Sequence, residues 1–247
     1  MPESYLALIP VSILSLVFSI LNIDIFNAII TGDPESQNLD PSLLAKPIQE
    51  LMLEGYLGPV YQASIIFIPL SVAFLFHLEY RSGDHDTIWL TSGNLTARKG
   101  ATLICWSFWL LAASLLAAVV NFVASYLLIA PAGRELLSIW DAFVVYSRVA
   151  VFALLFSALT LFIGVLTRRL FVTVLVILGL LFVSLSGIFK NSIPVLHESL
   201  PLIGGKPFAF FDPSEGALTI SQSAALLACW ILVSGIGYLL LAVWGRR

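Results

Sequence analysis

Long apolar runs, separated by short polar stretches, dominate the chain. A helix rising 1.5 Å per residue needs about 20 apolar residues to cross a hydrocarbon core of about 30 Å. Six runs meet or approach that length, at about residues 5–30, 56–78, 101–129, 139–166, 170–189 and 217–244. Only helices and closed barrels satisfy their backbone in lipid, and runs this long are not strands. The pattern predicts an all-α membrane protein with six transmembrane helices, forming a single domain over residues 1–247.

The intervening stretches differ in kind. Between the first two runs, Thr31 to Gly55 carries Pro34, Pro41 and Pro47 and cannot be one regular helix. Its second half, with Leu43, Leu44, Ile48, Leu51 and Met52, has the composition of a short helix lying flat at the membrane surface. Pro131 to Ser138 reads as a tight turn. The stretch from Lys190 to Gly216 is apolar yet broken by Pro194, Pro201, Gly204, Gly205, Pro207 and Pro213. Short re-entrant helices before the last span are expected there, with Asp212-Pro213-Ser214-Glu215 as a helix start. The longest polar interruption flanked by basic residues is Glu79 to Lys99.

Composition agrees with the pattern. The chain is 59% hydrophobic and 11% charged, with a mean hydropathy of +0.99. A soluble domain carries about 25% charged residues, so lipid is the solvent this surface fits. No Lys or Arg precedes the first run, so that run is expected to be retained as a span rather than cleaved as a signal peptide. If the N-terminus is cytoplasmic, Arg81, Arg98, Lys99, Arg168, Arg169, Arg246 and Arg247 fall on the inner side. Lys46, Arg134, Lys190 and Lys206 then fall outside, and the basic excess places both termini in the cytoplasm. Cys105 and Cys229 both lie in apolar runs and predict no disulfide framework.

Polar residues within spans are the first candidates for chemistry. Arg148 lies about ten residues into the fourth run, where a basic side chain costs roughly 2.5–3.5 kcal/mol to insert and needs a partner. Asp141, two turns earlier on the same face, and Asp24 in the first run are the acidic residues nearest in depth. Asp24, Asp141 and Arg148 are read either as an intramembrane polar path or as structural, with Arg148 ion-paired or snorkelling. His77, Glu79, Asp84, His85 and Asp86 have metal-ligand chemistry, but their spacing does not place three on one helical face. No metal site is expected. Small residues at Ala113, Ser114, Ala117 and Ala118, at Ala224 and Ala228, and at Ser234 and Gly235 form ridges for close helix contact, within the chain or between two copies. The chain has no phosphate loop, no His-Glu-x-x-His zinc motif and no Gly-x-Ser-Gly protease motif. It is expected to be no enzyme and to hold no cofactor.

The stretch from residue 79 to 99 carries a family resemblance. Glu79, Ser82-Gly83, Thr87-Ile88-Trp89-Leu90, Arg98 and Lys99 stand in the order found in the first cytoplasmic loop of type-2 ABC transporter permeases, the transmembrane subunits of ABC exporters. Six spans, internal termini and a re-entrant last outer loop resemble that family over nearly the whole chain. The segment departs from the family pattern at Thr87, four residues after Gly83, and in having Gly93 near the place of a proline. The resemblance implies a short coupling helix that docks in a cytoplasmic ABC ATPase subunit. Ile88, Trp89, Leu90 and Leu95 would be its apolar anchors, with Glu79, Arg81, Arg98 and Lys99 on the rim. It also implies a second permease chain, ATP and Mg bound only by the partner ATPase, and a place in the prokaryotic plasma (inner) membrane. The cargo class it suggests is amphipathic or lipidic, such as a peptide antibiotic, a drug or a lipid-linked molecule. No nucleic-acid partner is expected. The competing reading of the same stretch is a non-ABC membrane scaffold or assembly factor whose loop binds another cytosolic protein. The bland one is an interfacial helix with Trp89 among the headgroups.

Overall fold

A computed structural model describes residues 5–33, 47–81, 95–210 and 218–244, and all regular structure among them is helical. In chain order the helices are α1 (Tyr5–Thr31), α2 (Ile48–Arg81), α3 (Leu95–Leu128), α4 (Pro131–Arg134) and α5 (Ile139–Thr167). They continue as α6 (Leu170–Ser186), α7 (Pro194–Ser199), α8 (Pro201–Gly204), α9 (Lys206–Phe210) and α10 (Ile220–Trp244). Five of them, α1, α2, α3, α5 and α10, are long and apolar enough to cross a membrane. The expectation was six. The run at 170–189 forms α6, apolar but only 17 residues long, because Gly187 turns left-handed (φ +64°) and ends it before Phe189.

Local chemistry explains where the helices stop and start. At the end of α1, Gly32 takes φ +74°, its N–H donates to Ile29 O (3.2 Å), and Asp33 N–H donates to Ala28 O (2.9 Å). That pair of bonds is a Schellman closure, which consumes carbonyls the helix leaves open. At the start of α5, Ser138 and Asp141 form a reciprocal capping box. Thr219 and Gln222 do the same before α10: Thr219 N–H donates to Gln222 Oε1 (2.9 Å) and Gln222 N–H to Thr219 Oγ1 (3.3 Å). The start expected at Asp212-Pro213-Ser214-Glu215 lies outside the described residues.

α2 begins eight residues before the expected span. Leu51 and Met52, expected in a flat surface helix, are buried in the same continuous helix that crosses the membrane. Gly55 permits this, because a Cβ there would overlap the Phe26 ring of α1, so its absence lets the two helices close. Leu43 and Leu44 of the same expected element lie outside the described residues. Pro59 and Pro69 are carried inside α2 without ending it.

α5 is the hub. It packs on α2, α3, α6 and α10, and 72% of its most apolar stretch is buried, against 17% for α10. α2 runs beside α5 with Tyr61 set edge-on to Phe152 (4.9 Å, 89°) and Phe76 over Gly164. α10 meets α5 where Gly237 faces Phe162, a contact in which a Cβ would come within 2.6 Å of the ring. α1 packs on α3 and α2.

The small-residue ridge of α3 is spent inside the chain. Ala113, Ser114, Ala117 and Ala118 are all buried, and Ser15 of α1 donates to Ala117 O (3.4 Å). In α10, Ser234 is buried, whereas Ala228 is exposed.

Candidate functional site

Arg148 is almost wholly buried, one turn inward from Val145 on the most enclosed helix. A buried guanidinium needs strong acceptors, because lipid and apolar side chains provide none. Its Nη1 donates to Ala209 O at 2.6 Å, and its plane lies over the Phe208 ring at 5.8 Å. Both partners belong to α9, so Arg148 holds the short-helix corner of residues 194–210 against α5. A charge-assisted bond of this kind is worth about 1.5–3 kcal/mol.

Three further contacts seat the corner. Ser223 of α10 donates to Gly204 O (2.5 Å) and accepts from Phe208 N–H (3.2 Å). Trp230 Nε1–H donates to Ser199 O at 2.9 Å. Gly204 and Gly205 leave no room for a side chain: a Cβ on the first would overlap Glu198 O and Leu226, and one on the second Pro201 O, with Phe152 Cζ 2.9 Å away. Pro194 and Pro201 occupy the first turns of α7 and α8, where a missing N–H costs nothing. Leu200, Leu202 and Ala209 are buried, as is His197. The proline- and glycine-broken stretch is thus a set of short helices packed onto α5 and α10.

The three expected polar residues have different surroundings. Asp24 is exposed on α1. Asp141 serves the start of α5, where its Oδ2 accepts from Ser138 N–H (3.4 Å) and its own N–H donates to Ser138 Oγ (3.2 Å). Arg148, two turns further on, donates to the Ala209 carbonyl of α9. A backbone carbonyl as its partner has no sequence signature, which is why the acidic residues drew the expectation.

A second polar seam, between α1 and α3, was not singled out from the sequence. Ser19 donates to Ser15 O (2.7 Å) and to the buried Asn121 Oδ1, while Asn27 Oδ1 accepts from Ala130 N–H (2.8 Å). The readable signal was the four-residue spacing of Ser15 and Ser19 in the first run, opposite the lone Asn121 of the third.

Of the stretch from residue 79 to 99, Ile88, Trp89 and Leu90 lie outside the described residues, as do Asp84, His85 and Asp86. Glu79 and Arg81 fall in the last turn of α2, with Arg81 exposed. Leu95 opens α3; Arg98 follows half-buried and Lys99 buried within the chain. Arg98 also accepts a hydrogen bond through its carbonyl from Thr102 Oγ1 (3.2 Å).

No protein-family model, no curated protein and no solved structure matches the chain. Its helices define it as a multi-pass α-helical membrane protein.

Proposed function

We propose that this chain is the permease subunit of an ATP-driven ABC exporter, working with a separate cytoplasmic ABC ATPase and a second permease chain. The observation that carries the reading is the pair of helices flanking residues 82–94. α2 and α3 are each 34 residues long, which is about 51 Å against a hydrocarbon core of about 30 Å. Tilt takes up part of the difference, and the rest extends beyond the core. The polar stretch therefore joins two stiff helices, and a force applied to it reaches the bundle hub through α2 and α3, both packed on α5.

In this reading the stretch 79–99, from the end of α2 to the start of α3, contains the coupling helix, with Ile88, Trp89, Leu90 and Leu95 toward a groove of the ATPase. Glu79, Arg81, Arg98 and Lys99 lie toward its rim. The membrane has six spans, α6 being the short one, and both termini are cytoplasmic. The membrane is the prokaryotic plasma (inner) membrane. ATP and Mg stay with the partner, so this chain is no enzyme and binds no cofactor. A bundle with so few charges suits an amphipathic or lipidic cargo.

The test is co-purification of the tagged full chain under gentle solubilisation. An ABC ATPase should accompany it and be lost in the combined W89A and R81E variant. Recovery of the intact chain without any ATPase would overturn the reading and favour a membrane scaffold. A cysteine at Ser92 should react with an impermeant maleimide only after the cells are opened.

A further inference from the structure

A recess lies where α1 nears its end, α2 begins and α3 ends, with about 260 Å3 of space open on one side. Its walls are apolar, formed by Phe26 of α1, Met52 of α2 and Ile129 of α3. Two polar side chains face it, Asn22 from α1 and Ser125 from α3. Neither makes a side-chain hydrogen bond among the described residues, whereas Ser19 at the recess is already engaged with Asn121. Gly55 completes the wall and lets the Phe26 ring lie flat against α2.

The dimensions and chemistry narrow what fits. The recess is open on one side, so it takes one end of a ligand, such as an oxygen group, rather than a whole one. An amide and a hydroxyl offer donors to such an oxygen. Among the described residues no charged side chain lines the recess, and Asp24, two positions beyond Asn22, lies on a different face of α1 and is exposed. An ionic headgroup would therefore go unpaired there. The recess is level with the last turn of α3 and the first two turns of α2. The recess thus lies near one end of the apolar stretches of all three helices, the end of a span being where a bilayer's hydrocarbon gives way to its headgroup region. The open part, lined by Phe26, Met52 and Ile129, fits an alkyl chain leaving the carbonyl.

We propose that this recess is a binding site for an uncharged carbonyl, ester or amide, borne on an alkyl chain, with Asn22 and Ser125 donating to its oxygen. The same chemistry is carried by a diacyl lipid of the bilayer and by an acylated amide. The site requires only that the helices be in a membrane, so it stands or falls independently of the ATPase partner.

The experiment uses the full chain in phosphatidylcholine nanodiscs, with trace probes carrying a photoreactive diazirine beside the polar group. Three probes are compared: a diester lipid, the matching diether lipid and an N-alkyl amide. Adducts are mapped by peptide mass spectrometry. Labelling by the ester or the amide should concentrate at Phe26, Met52 and Ile129. Loss of both donors in N22L/S125A should reduce it by about fivefold to tenfold. The diether should label as weakly as the variant. Ester labelling alone would assign the site to bilayer lipid, and amide labelling alone to an acylated amide. Labelling by the diether as strong as that by the better of the diester and the amide, equal labelling of wild type and variant, or no labelling of the recess would each overturn the proposal. An N22S variant, with a shorter donor and intact α1–α3 bonds at Ser19 and Asn121, should label at an intermediate level. This separates loss of the site from loss of the fold.

Discussion

The guanidinium of Arg148 and the carbonyl of Ala209 are joined by a 2.6 Å hydrogen bond across 61 residues of chain. It links the most enclosed helix to the end of a five-residue helix that has little stability of its own. The Arg148 bond, the Phe208 face and the Ser223 hydroxyl together convert a proline- and glycine-broken stretch into a fixed corner. Replacing Arg148 by Met keeps the length and removes the donor. The expected loss is about 1.5–3 kcal/mol, concentrated in residues 194–210. Hydrogen exchange should rise in α7–α9 and stay unchanged along the α1–α3 seam. R148K should recover only part of the loss, since an ammonium keeps the charge but not the plane over Phe208. Uniform destabilisation of all helices would show that the contact does not act locally.

The glycines of the corner and of α10 make an ordered series. At Gly205 an added Cβ meets the Pro201 carbonyl, which is backbone and cannot move away cheaply, and then the Phe152 ring. At Gly237 the obstacle is the Phe162 ring, 2.6 Å away, which can turn. Overpacking in a tight core costs about 1–3 kcal/mol. G205A should lie at the upper end of that range and G237A at the lower, as read by thermal unfolding in detergent. A larger effect at Gly237 than at Gly205 would contradict the packing described.

Some of this was readable from residues alone, and the misses share a cause. The start of α5 at Ile139 and of α6 at Leu170 coincides with the expected spans because a capping residue or a basic pair abuts an unbroken apolar run. α2 starts earlier than expected because Gln49, Glu50 and Glu54 interrupt the apolar run without interrupting the helix. Helical geometry tolerates polar residues; only the hydrocarbon does not. The bond from Arg148 to the Ala209 carbonyl was unreadable for a different reason. Every residue has a carbonyl, so only the fold says which one is in reach. The ridge at Ala113, Ser114, Ala117 and Ala118 was legible as a contact surface but not as an internal one, since close approach needs the same small residues whichever helix comes.

Between α1 and α3 the polar seam should contribute modestly. Ser19 shares its one O–H between the Ser15 carbonyl and Asn121 Oδ1. Interhelical bonds in membrane proteins average about 0.6 kcal/mol and reach about 1.7 kcal/mol. S19A should cost no more than that upper value. N121L should cost more than S19A, because Asn121 is almost fully buried and a branched side chain has to be fitted into its place. A double-mutant cycle measured by unfolding in mixed micelles should give a coupling of about 0.5–1.5 kcal/mol between the two positions. Strict additivity would mean that the two side chains do not act as a pair.

The α3 ridge supplies the last prediction. Ala117 is fully buried and its carbonyl accepts from Ser15, so A117L forces an extra three carbons between α1 and α3. The helices must separate or the leucine must take an unfavourable rotamer, at about 1–3 kcal/mol. If this surface is internal, the loss appears as weaker unfolding resistance with the oligomeric state untouched. Light scattering of the purified chain in detergent should then report the same mass for A117L as for wild type, while the α1–α3 seam exchanges faster. A change of mass without faster exchange would instead place the ridge between two copies of the chain, and would require α1 and α3 to part in the assembled protein.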